Sequence, residues 1–171
     1  MVKRDVGLAG TWHTKLVQIL DELCQEDVKN GIYSKVYNNK AIDPPLSYMK
    51  QVVWYQPDLY AIRKKEEKID VFEVIDTQSE GEAVEDMVLS ALTPRVSSLC
   101  IVCSDSEYLE KIKKKAIVIL HKIYDEDKKS YASIFNPKYF MHVPKNTRFT
   151  KPRSVARIKS MLRQQLEFGT R

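Results

Sequence analysis

The sequence holds few of the residues that staple or punctuate small extracellular folds: three cysteines, five glycines and seven prolines in 171 residues. Three cysteines do not make a disulfide framework. Long hydrophobic runs are missing as well. None exceeds Ala116 to Leu120, whereas a bilayer needs about 20 apolar residues. Met1-Val-Lys-Arg-Asp lacks the apolar core of a secretory leader, so an intracellular, non-secreted protein with no membrane partner is expected. The three histidines, His13, His121 and His142, are scattered and form no H-E-x-x-H. There is no glycine-rich phosphate loop, no Walker pattern and no G-x-S-x-G, which argues against dehydrogenases, P-loop ATPases and serine hydrolases.

What is present is ordinary for a globular chain, with 43% hydrophobic and 30% charged residues and a length that suits one domain. Charge is uneven. From Lys138 onward nine Lys/Arg face one acid, a balance of +8, which leaves the preceding part at −3 of the total +5. A basic arm on a mildly acidic body suits an anionic partner, most simply DNA, with RNA as the alternative; a solvated basic helix is the plainer reading. Two parts follow: a body over 1–145 and a basic C-terminal arm with a helix over 146–171, packed on it.

Cys100 and Cys103 spell a C-x-x-C inside the apolar run Ser98 to Ser104. On a strand, residues three apart face opposite sides, so these sulfurs are expected in the core and not on a shared metal or disulfide.

Periodicity predicts a helix from Gly10 to Asp27 with Trp12, Leu16, Ile19, Leu20 and Leu23 on one face, ended by Asn30-Gly31. A loop to Pro44-Pro45, with a short strand possible at Tyr33 to Tyr37, leads to strands at Gln51–Tyr55, Leu59–Ile62 and Ile69–Asp76, read as an antiparallel meander. Ser79 and Glu82 have capping-box spacing, as do Ser104 and Glu107. A strand at Ser97–Cys103 separates the helices they open. An edge strand at Tyr139–Val143 and a helix from Pro152 complete the order αβββαβαβα. A helix between the third and fourth strands makes that pair parallel. In the last helix Arg153 and Arg157 lie opposite the apolar stripe and Lys159 and Arg163 on its flanks; these four are the expected phosphate contacts.

The chemistry concentrates in the hairpin. A turn symmetric about Lys65-Glu66 sets Ile62 opposite Ile69, Tyr60 opposite Val71 and Asp58 opposite Glu73, with all six side chains on one face. Directly opposed Cβ atoms lie roughly 5 Å apart, and two carboxylates so placed repel. Either a proton is shared, or a divalent cation such as Mg²⁺ (or Mn²⁺) lies between them, or the register slips. The plainer reading makes Asp58 a turn residue and Glu73 the partner of a basic side chain.

Pro57-Asp58 followed fifteen residues later by Glu73-Val74-Ile75 resembles the PD-(D/E)XK nuclease superfamily, and the matching order of elements covers about Gly10 to Tyr124. The resemblance implies a restriction-endonuclease-like three-layer α/β/α fold with a central mixed sheet. It also implies Mg²⁺-dependent phosphodiester hydrolysis on DNA, often by a homodimer. Asp58, Glu73 and the Val74 carbonyl match the metal ligands, and Glu22 corresponds more loosely to an additional acid of resolvase-like members. The family's lysine falls at position 75, where this chain has Ile75. Gln78 is the nearest polar substitute, with Lys50 and Gln56 behind it. The rivals are a catalytically inactive nucleic-acid-binding relative and a protein-interaction scaffold.

Overall fold

The computed structural model describes residues 10–48, 51–76, 79–123, 140–147, 149 and 152–169. In chain order the elements are α1 (Gly10–Lys29), β1 (Tyr33–Asn38), β2 (Leu46–Tyr48), β3 (Gln51–Val53), β4 (Leu59–Arg63), β5 (Ile69–Ile75), α2 (Glu80–Leu92), β6 (Val96–Cys103), α3 (Ser106–Ile123), β7 (Phe140–His142) and α4 (Pro152–Gly169). Among the described residues no helix is long and apolar enough to cross a membrane.

Five strands form one mixed sheet in the order β1-β4-β5-β6-β7. β1, β4 and β5 pair antiparallel; β5 with β6, and β6 with β7, pair parallel, as the intervening helices require. The sheet strands and helices thus follow αβββαβαβα, but the first of the three leading strands is not the one expected. Gln51–Val53 pairs with Leu46–Tyr48 in a separate hairpin. Tyr33–Asn38 takes the place beside β4 instead. Val52 of β3 and Trp54 just after it are in solvent, 64% and 55% exposed, where a strand inside the sheet would be buried.

Helices cover both faces. On one, Val71, Ile75, Leu99 and Ile101 pack with Val84 and Met87 of α2 and with Leu109, Ile112 and Leu120 of α3. On the other, Ala61, Phe72, Val74 and Val102 pack with Leu16 and Leu20 of α1 and with Ile158 and Leu162 of α4. Cys100 belongs to the second cluster and Cys103 to the first, so the two thiols diverge through the sheet. All three cysteines are free and buried.

Helix ends follow local chemistry. Gly31, at φ +76°, closes α1 while the N–H groups of Gly31 and Ile32 reach back to Val28 and Asp27 at 3.1 and 2.9 Å; a residue with a Cβ is strained at that φ. Ser79 and Glu82 form the expected reciprocal cap of α2. For α3 the cap is Asp105 and not Ser104: its Oδ1 accepts from the N–H groups of Glu107 and Tyr108 at 2.9 and 3.0 Å. A carboxylate accepts both bonds at once and complements the helix dipole.

Candidate functional site

β5 is buried along its whole length, and two of its seven residues are acids. They are neutralised in opposite ways. Asp70, 4% exposed, accepts from Arg63 Nε at 2.9 Å, Tyr33 Oη at 3.0 Å and Ser98 Oγ at 2.6 Å. That is a satisfied buried ion pair holding β1, β4, β5 and β6 together.

Glu73, 3% exposed, has a different neighbourhood. Its Oε1 accepts from Tyr55 Oη at 2.6 Å, and its Oε2 from the Asp58 N–H at 3.3 Å. Among the described residues no lysine or arginine forms an ion pair with either Glu73 or Asp58. The register is the symmetric one: Tyr60 opposes Val71 and Ile62 opposes Ile69. Asp58 therefore arrives beside Glu73 at the end of β4. Its Oδ2 accepts from the Val74 N–H at 2.9 Å and lies 3.1 Å from His13 Nε2. In an extended strand a residue's N–H and C=O leave by the same edge, so the Val74 carbonyl faces the Asp58 side.

The electrostatics divide the pair. Burial pushes the Glu73 carboxyl well above its usual range, and the charges of Asp58 and then Asp86 push it further, against the opposing bonds from Tyr55 and the Asp58 N–H. Burial also acts to raise Asp58, but the hydrogen bond and charge of His13, the Val74 N–H and a hydrogen bond with Glu73 outweigh it and hold that carboxyl low. Of the two carboxyls, Glu73 is therefore the one that holds a proton more tightly. Tyr55 is held in its neutral, donating form by burial and then by the Glu73 and Asp86 charges.

The other expected residues fall in several places. Ile75 is 1% exposed in the apolar core, so nothing at the lysine position reaches solvent. Gln56 is turned away, its amide donating to Asn39 O and Oδ1 at 3.0 and 2.7 Å. Gln78 and Lys50 lie outside the described residues. Glu22 does not join the acids but pairs with Lys159 of α4, whose hydrogen bond first, against burial, lowers its carboxyl. Of the four basic residues on α4, Arg153 and Arg157 are exposed. Lys159 and Arg163 turn onto α1, Arg163 bridging Asp27, Glu26 at 2.8 Å and the Leu23 carbonyl at 3.3 Å.

Two residues at the site were not singled out from sequence. His13 stands one residue past Trp12, at the edge of the buried stripe of α1, and that flanking position beside an apolar stripe was the available signal. Lys145 had none. It comes from beyond β7 and sets Nζ 2.5 Å from Asp76 Oδ1, just past the end of β5. This is a charge contact and not an aligned hydrogen bond, since the buried Oδ1 makes none. Trp12 Nε1, donating to the Pro144 carbonyl at 3.2 Å, ties the same loop to the start of α1.

Among the described residues no three His, Cys, Asp or Glu side chains are already gathered into a metal-holding group. The arrangement offers two carboxylates and a backbone carbonyl, all hard oxygen donors, with an imidazole at the rim. Comparison with protein-family models, curated proteins and solved structures yields no match to this chain.

Proposed function

We propose that the chain is a divalent-metal-dependent phosphodiester hydrolase of the PD-(D/E)XK type, with a restriction-endonuclease-like fold, acting on DNA. The observation that carries this reading is the buried Asp58–Glu73 pair, which lies among the described residues without the arginine that Asp70 has. Burying two acids without a cation is costly, and a cation that displaces the proton relieves the cost.

Asp58, Glu73 and the Val74 carbonyl would hold Mg²⁺ or Mn²⁺. Bound there, such an ion acidifies water and stabilises charge building on the phosphate. Holding the ion would require Glu73 as the carboxylate, its proton going to solvent, and Tyr55 Oη would keep that carboxylate oriented. His13 Nε2 donates to the Asp58 carboxylate and orients it. Lys145, 53% exposed at its side chain, swings from Asp76 toward the phosphate and takes the part of the lysine absent at position 75. Arg153 and Arg157 add salt-sensitive, sequence-independent grip on the strand.

The test is incubation with branched, single-stranded and duplex DNA in Mg²⁺ or Mn²⁺. Cleavage that chelation stops is expected, and Lys145→Ala should slow it by roughly 100-fold, the scale of losing one transition-state charge contact. DNA bound but never cut would install the second reading, an inactive nucleic-acid-binding relative, which the core position of Ile75 favours. No DNA affinity at all would leave the scaffold.

A further inference from the structure

β1 is an edge of the sheet, and α1 covers only one of its faces. Tyr33 and Val36 pack into the cluster that holds α1. The other face carries Lys35 and Tyr37, which stand opposite Ile62 and Tyr60 of β4. Lys35 is exposed and Tyr37 half-buried, so this face is open. It is also the face of the acids. Tyr60 opposes Val71, and Glu73 follows Val71 by two residues on β5, between Val71 and Ile75 of the same cluster.

The chain turns a corner after β1. Asn39, at φ +45°, takes the left-handed conformation that asparagine tolerates. Its N–H donates to the Asp58 carbonyl at 2.9 Å, and its carbonyl and side chain accept from the Gln56 amide at 3.0 and 2.7 Å. Beyond this fastened corner, Lys40 folds back over β1. Its ammonium lies 4.3 Å from the Tyr37 ring centre, and that ring lies 4.9 Å from the ring of Tyr60. A ring beneath an ammonium holds the charge in place without neutralising it. Among the described residues no carboxylate pairs with Lys35 or Lys40, whereas Lys111 and Lys115 share Glu80. Asp43 and Arg95, the other charges around the Tyr60 hydroxyl, are of opposite sign.

Asp58 stands two residues before Tyr60, and Ile62 two residues after it, each step being about 7 Å of strand. Along one face the order is therefore the acid pair, Lys40 over Tyr37, then Lys35. We infer that Lys40 and Lys35 form a phosphate track that holds the substrate strand on one side of the Asp58–Glu73 pair. The track rests on the hydrolase reading for its link to those acids. Two uncompensated ammoniums in line suit a polyanion with regularly repeated charge. One nucleic-acid strand supplies a phosphate about every 3.4 Å of helix axis, so each step of the track spans roughly two of them. Such contacts fix the position of the strand and carry no sequence information.

The experiment measures binding of the full chain in EDTA to a labelled DNA duplex of about 20 base pairs across a range of salt. Lys35→Ala and Lys40→Ala should each reduce the slope of log affinity against log salt by about 0.9, the share of one phosphate contact. Lys40→Arg should keep the wild-type slope. Lys114→Ala, exposed on α3, removes the same charge and should leave the slope unchanged. In cleavage with Mn²⁺, the two track variants should raise KM and leave kcat as it was. Unchanged slopes in both variants, an equal loss in Lys114→Ala, or displacement of DNA by polyglutamate as effective as by unlabelled DNA would each overturn the track. Mn²⁺ titration calorimetry on wild type tells the two readings apart. With Mn²⁺ bound and slopes unchanged, the track alone fails. With slopes reduced and no Mn²⁺ bound, the hydrolase fails and the track stands as a nucleic-acid contact.

Discussion

Glu73→Gln is expected to lower Mn²⁺ affinity by at least about 100-fold, beyond what loss of an outer-shell partner costs, and to end cleavage with it. The same change should make the metal-free protein more resistant to urea at pH 8. The first follows from replacing a carboxylate donor with a neutral amide, the second from the burial and neighbouring charge that raise the Glu73 pKa. Glu73 has a native pKa raised well above its ordinary value of 4.5. Below that value native and unfolded chains are both protonated and nothing is lost. As pH rises past it the unfolded chain ionises first, and native stability falls by up to about 1.4 kcal/mol per pH unit until the native pKa is passed. Glutamine keeps an oxygen for Tyr55 Oη and removes the titration. The gain should therefore be absent at pH 4 and grow toward pH 8, as urea midpoints at several pH values will show. Asp58, held low, acts in the opposite sense: its stabilisation is present above the unfolded aspartate value and lost as pH falls through its native one. An unchanged urea midpoint at every pH would mean that Glu73 carries no retained proton.

Arg163→Ala should destabilise the protein by about 2 kcal/mol. Arg163 is the cation on Asp27, whose side chain is 5% exposed, and it also reaches Glu26 and the Leu23 carbonyl. Removing one partner of a buried pair costs about 3–5 kcal/mol; the 23% exposure of Arg163 lets water and salt reduce that figure. Arg157→Ala, on the exposed face of α4, should leave stability within about 0.5 kcal/mol and weaken DNA binding instead. Thermal melts of the two variants separate these roles. An Arg163→Ala protein as stable as wild type would show that α4 is held by Ile158 and Leu162 alone.

The parts legible in sequence were those governed by local period and chemistry. The stripe of α1, the Ser79–Glu82 cap and the Lys65-Glu66 turn each follow from residues within a few positions of one another. The Asp58–Glu73 juxtaposition could be read because a symmetric turn fixes the register of every pair behind it. Non-local choices could not be read. Tyr33–Asn38 and Gln51–Val53 have similar strand character, and only tertiary competition for the edge of β4 decides between them. The inward turn of Lys159 and Arg163 depends on acids more than 130 residues away, and so does the pairing of Glu22. Lys145 beside Asp76 is invisible for the same reason.

The bonds from α4 to α1 join segments that are synthesised well apart in time. Helix α1 leaves the ribosome before α4, with Leu16 and Leu20 ready to pack, yet Ile158 and Leu162 do not exist until some 140 residues later. At about 5–20 residues per second that is roughly ten seconds of waiting. One face of the nascent sheet stays partly uncovered for that time, so this layer closes only after α4 has emerged.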